Sequence, residues 1–281
     1  MKKIFYTLLI ISLALIFSCD EVKNPLKPAS NQCGDDTQPV PIRKILVEDF
    51  TGHTCPNCPP AAEQMAFLKQ KYCDYIVPVA LHVSVFATPN STYPEDFRTA
   101  EGTEIDQYFG VSAAGLPHGL VNRMPYNENP IIVYAEWAAA IEALLLSPPE
   151  MYLTINTSFN PVDSLVSISV RTDILKNVPD NLSLSVYLTQ DSIIAPQKDI
   201  RMNPVLIPNF VHQHVLRAVI NGTWGEQITD APSLFGNMIE KTYSIKIKPE
   251  WNVSHCEIVA FVFRSDSRDV IQAESKPIVS D

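Results

Sequence analysis

Glycine is scarce in this chain of 281 residues, which has only 9. That excludes collagen-like repeats and glycine-rich linkers. Positive charge is short as well: 21 basic residues face 31 acidic ones, for a net charge of −10. No basic tract is long enough to follow a phosphate backbone, so nucleic acid is excluded as the main partner. Beyond the N-terminus, no apolar run approaches the roughly 18 residues that suggest a membrane-spanning helix. The patterns G-x-S-x-G, H-E-x-x-H, G-x-G-x-x-G and the P-loop are absent. Esterase, zinc-protease and nucleotide chemistry therefore lose their usual signatures.

Proline is abundant, at 23 residues. Rigid turns and edge strands follow from it. Apolar residues make up 46% and charged residues 19%, which fits a packed globular protein rather than a disordered one. The length suits two ordinary domains.

Met1-Lys2-Lys3 is a cationic start, and Ile4 to Phe17 is an apolar stretch too short to span a bilayer comfortably. Ile16-Phe17-Ser18-Cys19 resembles the end of a bacterial lipoprotein signal. That resemblance implies removal of residues 1–18 and lipidation, with palmitate, of Cys19. An ordinary cleaved signal with an incidental cysteine is the alternative. Residues 19–41, polar and proline-bearing, read as the lipidated cysteine and an extended tether. The mature chain is expected to be anchored in a membrane, not to cross it.

From Ile42 the pattern changes. Ile45-Leu46-Val47 opens a buried strand. Ala61, Met65, Leu68 and Tyr72 form a helical stripe, and Ile76–Val85 is a second strand, so a parallel crossover unit is predicted. Residues 86–100 read as an insertion, Glu101–Phe109 as a short helix stopped by Gly110, and Leu120-Val121 as a strand. Asn129-Pro130 has the character of a helix cap and first turn before the stripe Tyr134, Trp137, Ile141, Leu144. After Glu150 come short runs rich in Val, Ile, Ser and Thr: 151–159, 165–172, 182–189, 210–220, 243–247, 257–264 and 270–273. They predict an immunoglobulin-like antiparallel β-sandwich over 150–281.

Cys55-Pro56-Asn57-Cys58 is the informative motif. A C-x-x-C between a strand and a helix suits a thiol redox couple that closes as the Cys55–Cys58 disulfide. The helix N-terminus favours a thiolate at Cys55. Cys58, one turn on, can resolve a mixed disulfide. A static staple is the competing reading. Zinc would need four ligands, and no second C-x-x-C exists, so neither metal nor cofactor is expected.

The approach Ile45 to Cys55 resembles that of thioredoxins. The resemblance implies that Asp49, six residues before Cys55, moves the proton of Cys58, and that Pro117 in Gly115-Leu116-Pro117 is the cis proline facing the cysteines. It also implies a thioredoxin-like α/β domain at 42–149, with the insertion at 86–100. Thr54 stands where that family has tryptophan. Pro59 disfavours helical dihedrals at Cys58, which predicts a late or distorted helix start. The few residues after 123 leave little room for the usual last hairpin strand.

A longer match is to the twenty-eight-kilodalton outer-membrane protein family, lipoproteins with a thioredoxin-like domain. Val47-Glu48-Asp49-Phe50-Thr51-Gly52-His53, Phe109-Gly110-Val111-Ser112-Ala113-Ala114, Gly119-Leu120-Val121-Asn122-Arg123, Val211-His212-Gln213-His214-Val215-Leu216-Arg217 and Ile258-Val259-Ala260-Phe261-Val262-Phe263 carry it. The resemblance implies an outer-membrane, lipid-anchored protein, periplasmic or surface-exposed. The expected partners are thiols or disulfides of exported proteins. A non-catalytic surface binding or adhesion module is the rival function.

Several residues have plainer readings beside these. Asp49 is equally a strand-end acid in an ion pair. His53 reads first as a solvated loop histidine, and second as a stabiliser of the thiolate. His82 reads as a hydrogen-bonded core residue. His212 and His214 alternate on one predicted strand, where packing or interdomain hydrogen bonding outweighs metal binding. Cys33, Cys73 and Cys256 are odd in number, so at least one is expected to be free or bonded to a partner, with Cys33–Cys73 one pairing left open.

Overall fold

The structure, a computed structural model, describes residues 41–279. The expected signal, Cys19, Cys33 and the tether up to residue 40 lie outside the described residues.

Strand β1, Ile45–Thr51, is buried along nearly its whole length, as its near-continuous apolar run requires. Helix α1, Pro59–Tyr72, crosses back to β2, Ile76–His82. The two strands pair in parallel from Ile45↔Ile76 to Thr51↔His82. The predicted stripe of Ala61, Met65, Leu68 and Tyr72 is the face that α1 buries. Residues 88–99 form no helix or strand. Helix α2, Ala100–Phe109, begins where the Thr99 hydroxyl accepts the Gly102 N–H, and stops at Gly110 in the left-handed region. A single turn, α3, Val111–Ala114, leads to β3, His118–Val121, antiparallel to β1.

The last hairpin strand is present but short: β4, Ile131–Ile132, pairs with β3. Asn129-Pro130 therefore does not open a helix. The Asn129 side chain accepts the Ile131 N–H, and α4 starts only at Trp137, running to Leu145. Cross-strand pairing at Ile131 wins over the local cap signal. The order β2-β1-β3-β4 is that of a thioredoxin-like fold. One core, with Ile45, Val47, Leu68 and Trp137, lies under α1 and α4; another, with Leu46, Phe50, Ile105 and Val111, lies under α2 and α3.

After α4 the described chain holds no further α-helix. Strands β5, Met151–Asn160, β6, Leu165–Ile174, and β12, Met238–Lys246, form a three-stranded antiparallel sheet. It packs on β7, Leu182–Gln190, β13, Cys256–Arg264, and β14, Val270–Pro277, across a core of aliphatic side chains. This is the expected immunoglobulin-like sandwich. Strands β8, Ile193–Gln197, and β9, Ile207–His212, make a separate hairpin, and β11, Glu226–Thr229, pairs with β7. The predicted run 210–220 is split: β9 ends at His212, His214 takes φ 55°, and β10 is Val215–Val219. His212 and His214 therefore do not lie on one strand.

The principal sheet runs β14-β13-β7-β10-β2-β1-β3-β4, so it passes from the sandwich into the thioredoxin-like region. The join is narrow: Val215 pairs with Ala80, and the Ala80 N–H donates to the His214 carbonyl at 2.8 Å. The middle strands are buried on both faces. Leu184, Val186, Ile258 and Ala260 face the sandwich core, while Tyr187, Val259, Phe261 and Phe263 join the core of β1 and β2. Burying one such side chain stabilises by about 1.5–3 kcal/mol, so this shared layer binds the two regions together.

A polar tie crosses the same layer. Arg123 donates to both oxygens of Glu48, at 2.8 and 2.6 Å, and to the Tyr187 hydroxyl at 3.1 Å. Both charged side chains are essentially buried. Burial desolvates Arg123, but Glu48 and Tyr187 together more than offset this and raise its pKa.

Candidate functional site

The loop from Gly52 to Cys58 joins β1 to α1 and carries a closed Cys55–Cys58 disulfide with Cα atoms 5.5 Å apart. The Cys55 N–H donates to the Gly52 carbonyl at 2.9 Å. Gly52 has to be glycine, because a Cβ there would lie 2.5 Å from the Phe86 backbone. The Phe86 carbonyl accepts both the N–H (3.0 Å) and the hydroxyl (2.8 Å) of Thr54. Thr54 therefore ties the loop to the chain after β2.

Cys58 is the cap residue of α1, with φ −81° and ψ −29°, and the helix starts at once with Pro59 and Pro60. The late start expected from Pro59 is not seen, because proline's fixed φ suits the first helical turn. The prolines have a chemical consequence. Two positions of the first turn lack an N–H. The next two amides, of Ala61 and Ala62, are already donated to the Cys58 carbonyl. The helix terminus thus offers a thiolate fewer free N–H groups than the bare motif implies.

Asp49 is buried on the α1 face of β1, and its Oδ1 has no hydrogen-bond partner among the described residues. Burial pushes its carboxyl up to about 7. Among the described residues it is in no ion pair. A cavity of about 300 Å³ between α1 and the sheet is lined by Asp49, Cys58, Met65, His82 and His212 among others, so the carboxyl and the inner cysteine share one space.

The Leu116–Pro117 peptide is cis. Pro117 directly precedes His118, which pairs with Phe50. Pro117 and the cysteine loop therefore lie at the same end of the sheet.

A histidine cluster borders the cavity. His53 and His82 ring centroids are 6.4 Å apart and those of His82 and His212 5.6 Å, with Phe97 4.8 Å from His82. His53 is buried, not solvated as expected, because the loop folds under residues 88–97. Desolvation lowers all three pKa values, that of His212 to about 4. A neutral His53 supplies no positive charge to a thiolate. Among the described residues, one ring nitrogen of each has no hydrogen-bond partner: Nδ1 of His53 and His82, Nε2 of His212. No group of three His, Cys, Asp or Glu placed to hold a metal ion occurs among the described residues. His214 joins the two regions through its carbonyl, which accepts the Ala80 N–H, while its ring Nδ1 lies 3.0 Å from Asp191 within the sandwich region.

Cys256 is free and buried, with its thiol pushed up to about 12 mainly by desolvation, which makes it inert. Cys73 is disulfide-bonded.

Sequence reasoning missed the partner of Glu48. The signal was a charged residue inside a buried strand, which demands a counter-charge. It also missed Gln197, whose amide donates to the Gly52 and Cys55 carbonyls at 3.3 and 3.1 Å. No local pattern marks that residue.

The family model described as Outer membrane protein Omp28 matches residues 103–281, more than half of the chain. This chain belongs to the Omp28 outer-membrane protein family. The matched part begins after the cysteine pair, so the C-x-x-C reading stands on this chain's own residues. A search of curated proteins finds no match. Among solved structures the chain is similar to HBP35 of Porphyromonas gingivalis, at 14% identity and TM-score 0.61, over 86% of this chain and 77% of that one. It is also similar to a structural-genomics protein of Agrobacterium tumefaciens, at 16% identity and TM-score 0.50, over 85% and 96%. A domain of the outer membrane lipoprotein Omp28 from Porphyromonas gingivalis aligns at 19% identity and TM-score 0.32, over 46% and 88%. The first two likenesses speak for the fold. Family membership places the chain at the outer membrane, and this chain's own residues supply the thioredoxin-like region with its C-x-x-C pair.

Proposed function

We propose that this Omp28-family chain exchanges thiols and disulfides with exported proteins, held at the outer membrane by lipid on Cys19. One observation carries this reading: the Cys55–Cys58 disulfide closes over a cavity that also holds an unpaired, protonatable carboxyl, Asp49.

In the reduced pair, the Cys55 thiolate attacks a partner disulfide. A mixed disulfide forms and one partner thiolate leaves. The Asp49 carboxylate accepts the Cys58 proton, and Cys58 then attacks Cys55 Sγ. The internal disulfide forms and the second partner thiolate leaves, so two electrons pass to the partner. The reverse sequence oxidises a partner dithiol. A carboxyl titrating about 7 can accept or give this proton at neutral pH. Pro117, beside the loop, shapes the edge where an extended partner lies.

Burial of both cysteines favours a second reading, in which the pair is a staple in a surface binding module. Turnover on a disulfide-bonded protein, with Cys55→Ser as control, separates the two. Exchange requires that the variant lose turnover, and equal rates reject it. Loss of palmitate labelling in Cys19→Ala tests the anchor separately.

A further inference from the structure

The cysteine loop presents a row of main-chain carbonyls, and a remote part of the chain fills it. The Lys198 N–H donates to the His53 carbonyl and the Ile200 N–H to the Pro56 carbonyl, each at 2.9 Å. Between them in effect sits the Gln197 amide, on the carbonyls of Gly52 and Cys55. The two donors follow directly on β8 as the chain leaves the hairpin, and the chain then turns, with the Met202 N–H on the Asp199 carbonyl at 3.1 Å. The segment ends at Arg201, whose guanidinium reaches Glu63 of α1 at 2.6 and 2.9 Å. That clasp is exposed and hence weak. Under this cover Cys55 is 1% exposed and Cys58 2%. A disulfide that no thiolate can reach does not exchange.

We propose that Gln197–Ile200 is an internal stand-in for substrate: it occupies a main-chain docking row that an extended polypeptide takes over when it reaches the Cys55–Cys58 pair. The row consists of the carbonyls of Gly52, His53, Cys55 and Pro56. The His53 and Pro56 carbonyls accept backbone N–H groups, which every residue but proline carries, so the row reads main chain rather than sequence. The rim is apolar, with Val85, Phe86, Ile200 and Met202 exposed around it, and this fits unfolded or loop segments of exported proteins. That the incoming chain carries a thiol or disulfide rests on the exchange reading above. The cover itself does not.

The test uses the full chain with Gln197→Ala and Arg201→Ala together, and follows reduction of Cys55–Cys58 by dithiothreitol. A dithiothreitol thiolate opens the disulfide to a mixed disulfide, freeing one cysteine thiolate. Its second thiol closes the cyclic product and frees the other, with two electrons passed to the protein. Reduction at least tenfold faster than in the wild-type chain is expected. A rate within twofold of wild type overturns the proposal.

A second measurement leaves the segment unmutated. Cys58→Ser protein is joined through Cys55 either to an unstructured cysteine-containing octapeptide or to a methylthio group. Hydrogen exchange at the Lys198 and Ile200 amides should speed up at least tenfold only with the peptide, and unchanged protection overturns the proposal. Fast reduction and lost protection without turnover on any disulfide-bonded protein would leave the docking row standing and remove the exchange reading.

Discussion

Glu48 and Asp49 are adjacent acids on one buried strand, and they face opposite ways. Glu48 meets Arg123 in a buried ion pair within the thioredoxin-like region, and Arg123 reaches on to the Tyr187 hydroxyl of the sandwich. Asp49 meets a cavity, an unpartnered oxygen and the inner cysteine. The contrast shows how one strand divides structural and chemical work by its period of two. The paired acid fixes the arginine that reaches across to the other region. The unpaired acid keeps a proton that can move, and its desolvation is a standing cost to stability.

The largest effect should come from breaking the satisfied side. Arg123→Ala leaves Glu48 buried and alone, which should cost about 3–5 kcal/mol in urea unfolding at pH 7. A loss under about 1 kcal/mol would erase the contrast, since Glu48 would then be as expendable as a surface acid.

Asp49 should act in the opposite sense. Its folded pKa, about 7, lies above the ordinary 3.8. The folded state therefore holds the proton more tightly, and stability falls as pH rises through the window from 3.8 to about 7. By linkage the fall is about 4 kcal/mol. Asp49→Asn should lose that slope and be the more stable protein at pH 8, with the gain gone near pH 4. Parallel curves for the two proteins would mean that Asp49 is paired after all.

A smaller effect belongs to His212, across the same cavity. Its pKa is depressed from 6.5 to about 4, so its contribution is present above 6.5 and lost as pH falls toward 4. The share is about 3 kcal/mol. His212→Asn should flatten that part of the acid limb. An unchanged limb would place the charge-sensitive burial elsewhere.

Much of this was legible in the sequence, for definable reasons. The buried strands, the α1 stripe and the C-x-x-C position follow from periodicity and from residue types with few alternatives. The strand runs after Glu150 alternate clearly enough to announce a sandwich. The errors come from competition that local pattern does not show. Asn129-Pro130 looks like a cap, but Ile131 finds a strand partner. The run 210–220 looks like one strand, but a left-handed His214 turns it so that one end joins a hairpin and the other the main sheet. The contacts of Gln197 and of the Glu48–Arg123 pair join residues 142 and 75 positions apart, and only the fold brings them together.

The most direct measurement is the pH dependence of disulfide exchange by the reduced wild-type chain and its Asp49→Asn variant, on one disulfide-bonded protein. The wild-type rate should carry a titration step near pH 7 that the variant lacks, with the variant slower by about 10²-fold. Superimposable profiles, or a rate that survives Cys55→Ser, would contradict a proton held at Asp49 for the cysteine pair.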